Sequence, residues 1–154
     1  MAHELKEHID PLISLLKEYE TACLVQVGAN DGYESSQIVT ALGCRAICIE
    51  ADPRCKPYSE NIEFHHALIG SSNCVMPFYQ MEDSSLSSGL VREDGPGTKI
   101  ELQQYRLDTF CNERNIVPDA LIIDTEGTAL DVLGGSGALL DGINVIYAEI
   151  QTEN

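Results

Sequence analysis

Short apolar runs alternate with amphipathic stretches along most of this chain. Residues 3–19, HELKEHIDPLISLLKEY, place Leu5, Ile9, Leu12, Ile13, Leu16 and Tyr19 at helical spacing. Pro11 inside that run predicts a kink, or a short helix followed by a second start. CLVQV (23–27) is a strand-type run that ends in the turn GANDG, and YESSQIVTAL (33–42) reads as a helix stopped by Gly43. RAICIE (45–50) is a second apolar strand, closed by the polar turn ADP (51–53). PRCKPYSEN (53–61) has room only for a short helix, and IEFHHALIG (62–70) reads as a third strand.

The pattern is least regular from 71 to 97. NCVMPFYQM (73–81) is compatible with a strand, while SSLSSGLVREDGPG (84–97) reads as a loop or lid. TKIELQQYRL (98–107) alternates Ile100, Leu102 and Gln104 against Lys99, Glu101 and Gln103, a weak strand signal. DTFCNERN (108–115) looks helical with Asp108 as its N-cap. DALIID (119–124) is a fourth buried strand, TALDVLGGSGALL (128–140) a Gly-interrupted helix, and INVIYAEI (143–150) a fifth buried strand. Buried strands alternating with helices imply βαβ units, a mostly parallel sheet and right-handed crossovers. The expected fold is a three-layer α/β domain over 22–154, preceded by an N-terminal helical segment over 1–21.

Composition narrows the partners. The 154 residues are 44% hydrophobic and carry a formal net charge of −16, apolar enough to fold and long enough for one domain. The acidity is spread out, with net −6 over 1–77 and −10 over 78–154. No stretch gathers lysines and arginines, so nucleic acid and anionic membrane surfaces are disfavoured. A cationic small molecule suits the charge better. Neither a membrane-length apolar run nor a basic-then-apolar leader is legible, which points to a cytoplasmic protein. The six cysteines (Cys23, Cys44, Cys48, Cys55, Cys74, Cys111) form no CxxC pair, and buried reduced thiols are expected.

Three strand ends carry candidate chemistry. LVQVGANDGYESS runs from a buried strand through a glycine turn into a helix start; Gly28 and Gly32 permit a tight turn and close approach of backbone to a ligand. The helix N-terminus beyond offers free amides to a carboxylate or phosphate. The dinucleotide fingerprint G-x-G-x-x-G is absent, because Ala29–Asn30 stands where its second glycine belongs. Glu50, followed by Ala51 and Asp52, ends the second strand 22 residues after Gly28, where an acid can bond both ribose hydroxyls of a nucleoside. Asp124 and Glu126 end the fourth strand, beside the first in a parallel sheet, and Glu149 adds an acid near the end of the fifth. The plainer reading of Glu126 is a helix cap. No third ligand of defined geometry is legible, so no metal is expected.

The ordered blocks VQVGANDGYESS, AICIEADP, ALIGSSN, YRLDTF and PDALIIDTEGTALDVLGGSGALL…INVIYAEI resemble the FkbM-type family of class I S-adenosylmethionine-dependent methyltransferases, over roughly residues 22–150. The resemblance implies a Rossmann-like sheet, S-adenosylmethionine as cofactor, and methyl transfer to a hydroxyl oxygen of a sugar or small natural product. By matched position, Gly28, Ala29, Asn30 and Gly32 line the methionine part. Glu50 holds the ribose with Ala51 and Asp52 beside it, and Ala67 and Leu68 border the adenine. Asp124 and Glu126 face the reacting end. Asp31, Glu50, Asp124 and Glu126 together give a mouth suited to a sulfonium and an ammonium group. Asp124, Glu126, His65 and His66 are candidate bases for the acceptor hydroxyl, the histidines being better explained by structure.

Two departures stand out. Gln26 occupies a position where many relatives have an acid. Class I methyltransferases also continue past the fifth strand into a sixth and an antiparallel seventh, whereas this sequence stops at Asn154. An apolar fifth strand at the sheet edge then predicts a covering second subunit, hence a homo-oligomer, or a truncated chain. Two other readings remain open: a non-catalytic domain that keeps the fold and pocket, and a nicotinamide-dependent oxidoreductase.

Overall fold

The computed structural model describes residues 2–82 and 97–150. In chain order the elements are α1 (Ala2–Glu18), β1 (Cys23–Val27), α2 (Tyr33–Leu42), β2 (Arg45–Glu50), β3 (Glu63–His66), β4 (Leu68–Gly70), β5 (Cys74–Gln80), β6 (Thr98–Arg106), α3 (Leu107–Glu113), β7 (Ala120–Ile123), α4 (Ala129–Gly134), a 3-10 turn (Gly137–Gly142) and β8 (Val145–Ala148). Five strands form one wholly parallel sheet in the order β3-β2-β1-β7-β8.

Alternation along each strand divides the core into two layers. Leu24, Ala46, Cys48, Ala120 and Ile122 face Leu12 and Leu16 of α1 and Ile38 of α2. Val25, Val27, Ile47, Ile49, Leu121 and Ile123 face the other way, onto Leu107, Phe110 and Cys111 of α3 and Val132 of α4. This is the expected three-layer, Rossmann-like arrangement. Burying both faces is what makes these strands read as continuous apolar runs.

Several local expectations differ. α1 is one helix through Pro11, whose ring lies on the exposed side, where the carbonyl deprived of its amide partner can bond water. No helix forms over 53–61; Pro53 and Pro57 lack amides, and Cys55 N and Tyr58 N donate instead to the carbonyls of Asp52 and Asp31. The run 62–70 is two strands in two sheets. At Ala67, whose amide donates to the Glu50 carbonyl at 3.0 Å, the chain leaves β2. It continues as β4 beside β6 in a second, three-stranded sheet ordered β4-β6-β5, in which β5 and β6 are antiparallel. α3 is capped at Arg106 rather than Asp108. Asp108 lies inside the first turn, gripped by Arg106 (Nη2–Oδ2 2.8 Å, Nε–Oδ1 3.0 Å), while its amide donates to the Gly135 carbonyl.

β8 is the outer strand of the parallel sheet among the described residues, and it is buried only in part. Ile146 and Tyr147 are 45% and 41% exposed. The SSLSSGL stretch expected to form a lid lies outside the described residues. All six cysteines are free thiols, and no described helix is long and apolar enough to cross a membrane.

Candidate functional site

The carboxyl ends of β1, β2, β7 and β8 converge, because parallel pairing in register brings all four ends to one edge of the sheet. The glycine turn after β1 folds back onto β2, with Gly28 N and Ala29 N both donating to the Ile49 carbonyl at 2.9 and 3.2 Å. Gly28 (φ 77°), Asn30 (φ 54°) and Gly32 (φ 78°) all adopt the left-handed conformation. A Cβ on Gly28 would lie 2.1 Å from the Asp124 carbonyl oxygen, and one on Gly32 would lie 2.4 Å from Ile62 Cδ1. The close approach these glycines allow is therefore to neighbouring protein, and it draws the end of β7 against the turn.

Glu50 ends β2, on one side of the glycine turn. Its Oε2 accepts from Asn30 N at 2.7 Å and its Oε1 from Asp52 N at 2.9 Å. Burial pushes the Glu50 carboxyl up, and the two amides pull against that rise. Two backbone donors thus orient a carboxylate that retains accepting capacity for ligand hydroxyls.

The other predicted binding residues divide between the edge and the interior. Ala29 is buried, and Ala51 is half-buried beside Glu50. Asp31 Oδ1 accepts from Tyr33 N at 2.9 Å and so steadies the start of α2. Gln26 is buried beneath α2, where its Oε1 accepts from Ser35 Oγ at 2.5 Å. Asp52 is fully buried behind Glu50 and bound to Arg54 and Gln80. Ala67 is partly buried beside the end of β2, and Leu68 sits in the interior.

The second acidic group lies across the turn. Asp124 N donates to the Val27 carbonyl at 2.9 Å, and Glu149 N to the Ile123 carbonyl at 3.0 Å, which sets the two acids side by side at the ends of β7 and β8. Both acids are exposed at the rim of this edge, and desolvation by the surrounding protein, then the adjoining Glu149 carboxyl, raise the Asp124 carboxyl to about 7. A carboxyl raised this far can take up or release a proton near neutral pH. Glu126 is exposed in the β7–α4 loop, and its charge adds a smaller push in the same direction. Between them, Thr125 buries a hydroxyl oxygen with no hydrogen-bond partner, beside Gly28.

The histidines have structural partners. His65 Nε2 lies 3.0 Å from Glu63 Oε1 with its ring edge-on to Phe110, and His66 Nε2 lies 2.7 Å from the Cys55 carbonyl oxygen. No group of three metal-ligating side chains occurs among the described residues. The sequence reading overlooked Arg54 and Thr125. The D-x-R spacing of Asp52 and Arg54 was a visible cue for the first, whereas only the folded structure isolates the Thr125 hydroxyl.

No match was found among curated proteins. Residues 26–154 match the family model described as the methyltransferase FkbM domain. That span takes in the glycine turn, Glu50 and the Asp124–Glu149 pair, all held on one parallel sheet, and the chain belongs to the FkbM methyltransferase family.

Proposed function

We propose that this chain transfers a methyl group from S-adenosylmethionine to a hydroxyl oxygen of a sugar or small natural product. The observation that carries the reading is the placement of two unlike acidic groups across one glycine turn: Glu50, held by two amides, and Asp124, raised to about 7 beside Glu149. The donor set fits the cofactor. Glu50 would hold the ribose hydroxyls, the turn from Gly28 to Gly32 would hold the methionine part, and the unpartnered Thr125 hydroxyl offers a further polar contact beside that turn. Nearby carboxylates suit its ammonium and sulfonium groups. The bound cofactor supplies an electrophilic methyl carbon on sulfur and leaves as a neutral thioether.

The chain's own work is then to hold and to deprotonate. Orientation of donor and acceptor can supply much of the acceleration for an in-line displacement. As the new C–O bond forms, the acceptor hydroxyl must lose its proton. Asp124, with a carboxyl near 7, is matched to accept it at neutral pH, with Glu149 beside it and Glu126 at the rim.

Calorimetric titration with S-adenosylmethionine, S-adenosylhomocysteine and NAD tests the cofactor assignment. Binding of the first two and not of NAD is expected; no binding of either at millimolar concentration would sink the reading. Transfer of labelled methyl groups onto a panel of glycans tests catalysis. Tight cofactor binding without turnover on any acceptor would favour a binding domain.

A further inference from the structure

The turn after β2 holds a half-buried ion pair that the chemistry above does not use. Asp52 has no exposed side-chain surface, whereas Arg54 is 43% exposed. Arg54 embraces the carboxylate with Nη2–Oδ2 at 2.6 Å and Nε–Oδ1 at 3.0 Å, and its own amide donates to Oδ1 at 3.0 Å. Gln80 Nε2, from β5, donates to the same oxygen at 3.1 Å. Arg54 Nη1 reaches on to the Met81 carbonyl at 2.9 Å. One guanidinium therefore fastens the turn that follows β2 to the end of β5, although those strands belong to different sheets.

The clasp continues into the site. The amide of Asp52 donates to Glu50 Oε1, and the amide of Asn30 in the glycine turn donates to Glu50 Oε2. Cys55 closes the loop, its amide on the Asp52 carbonyl at 3.1 Å and its thiol on Asn30 Oδ1 at 3.3 Å. A buried carboxylate is costly unless it is paired and hydrogen-bonded, and removing its partner exposes that cost. Removing the Arg54 side chain takes the bidentate cation from Asp52, and any resulting movement or protonation of that carboxylate loosens the peptide whose amide orients Glu50. A planar fork with several fixed donors suits this task in a way that the point charge of a lysine does not.

We propose that Arg54 is a positioning residue, acting through Asp52 and its amide to hold the Glu50 carboxylate in its ligand-receiving orientation and so to set affinity for the nucleoside end of the cofactor. The inference rests on the assignment of Glu50 to the S-adenosylmethionine pocket. Among the described residues, the charged and titratable groups around Glu50 include Asp52 and Arg54 in its own turn, Cys55 in the following loop, and His66, its register partner on β3, whose Nε2 is turned to the Cys55 carbonyl.

The test uses the whole chain with Arg54→Met and Arg54→Lys, read by S-adenosylhomocysteine calorimetry and by the 13C titration of the Glu50 carboxyl. Arg54→Met should bind about tenfold more weakly, and its Glu50 titration should move upward as the Asp52 amide is lost. Arg54→Lys keeps the charge without the fork and should fall between that variant and the wild type. Affinity within about twofold of the wild type together with an unmoved Glu50 titration would overturn the inference. Full rescue by Arg54→Lys would overturn it too, since charge alone would then suffice. If Arg54→Met does not fold, Gln80→Leu removes one donor to Asp52 and should still weaken binding, while leaving the wild-type value would count against the clasp. A wild-type chain that binds no S-adenosylhomocysteine refutes the cofactor assignment instead; the Glu50 titration in Arg54→Met then decides the coupling alone.

Discussion

Glu50 and Asp124 end strands of one parallel sheet, and desolvation pushes both carboxyls upward although Asp124 is exposed, yet their immediate neighbours are of opposite kind. Glu50 faces two backbone amides, which favour its charged form. Asp124 faces Glu149, a second carboxyl, which favours a retained proton. The same residue chemistry at the same edge thus yields two groups with different proton affinities, and the proposed function gives the first a ligand to hold and the second a proton to move. What differs is only which neighbour the fold supplies, an amide donor or a competing acceptor.

Gly28 joins the two corners, and breaking it should have the largest effect. In Gly28→Ala the new Cβ would meet the Asp124 carbonyl at 2.1 Å in a left-handed backbone. We expect a loss of more than about 3 kcal/mol in chemical denaturation together with loss of ligand binding. A well-folded Gly28→Ala chain that still binds would show that the corners need no such contact.

Asp124→Asn separates the corners. Methyl transfer should fall by about a hundredfold to ten-thousandfold, the range for loss of a general base, with cofactor affinity little changed. In the wild type the rate should rise with pH and level off above about 7, where Asp124 is ionised. Glu149→Gln removes the charge that helps to hold that proton and should shift this limb to lower pH. Equal rates for wild type and Asp124→Asn would remove Asp124 from the chemistry.

Glu50→Ala should act the other way, weakening S-adenosylhomocysteine by about tenfold or more without unfolding the chain. Unchanged affinity would refute the ribose assignment.

Proton linkage gives a subtler contrast. Asp124 is raised in the folded chain, from 3.8 to about 7. The folded state therefore binds more protons across that window, and this group makes stability fall as pH rises through it. Asp52 has the reverse sign. Burial alone would raise it, but Arg54 and Gln80 outweigh that and hold it at about 2. Its contribution is present above 3.8 and is lost as pH falls toward 2. Denaturation of Asp124→Asn across pH 4–7 should show a flatter profile than the wild type. The smallest effect belongs to Arg45→Ala, which removes a pair with Glu63 that is 50% and 40% exposed on its two sides; its change should stay within about 0.5 kcal/mol.

Much of this was legible in the chain itself. Leu24–Val27, Ile47–Ile49 and Leu121–Ile123 read as strands because a doubly covered parallel sheet needs apolar residues on both faces. The glycine turn and Glu50 were legible because their spacing follows from the βαβ unit. The split of 62–70 at Ala67 was not, since EFHH and LIG are equally strand-like and only their partners, β2 and β6, differ. The hairpin formed by β5 and β6 was seen only faintly, because its partly exposed strands carry mixed residues.

The sequence by itself determined which segments pair in parallel and that acidic residues end the strands, since both follow from local apolar periodicity and from where each run stops. Only the tertiary structure decided what each acid does. Asp52 bonds Arg54 and Gln80, Glu50 bonds the amides of Asn30 and Asp52, and Asp124 meets Glu149, 25 residues further along the chain. A carboxyl's charge state depends on the donors and charges within a few ångströms; Arg54 and the Asp52 amide are sequence neighbours, but Asn30, Gln80 and Glu149 are brought in by strand order and register.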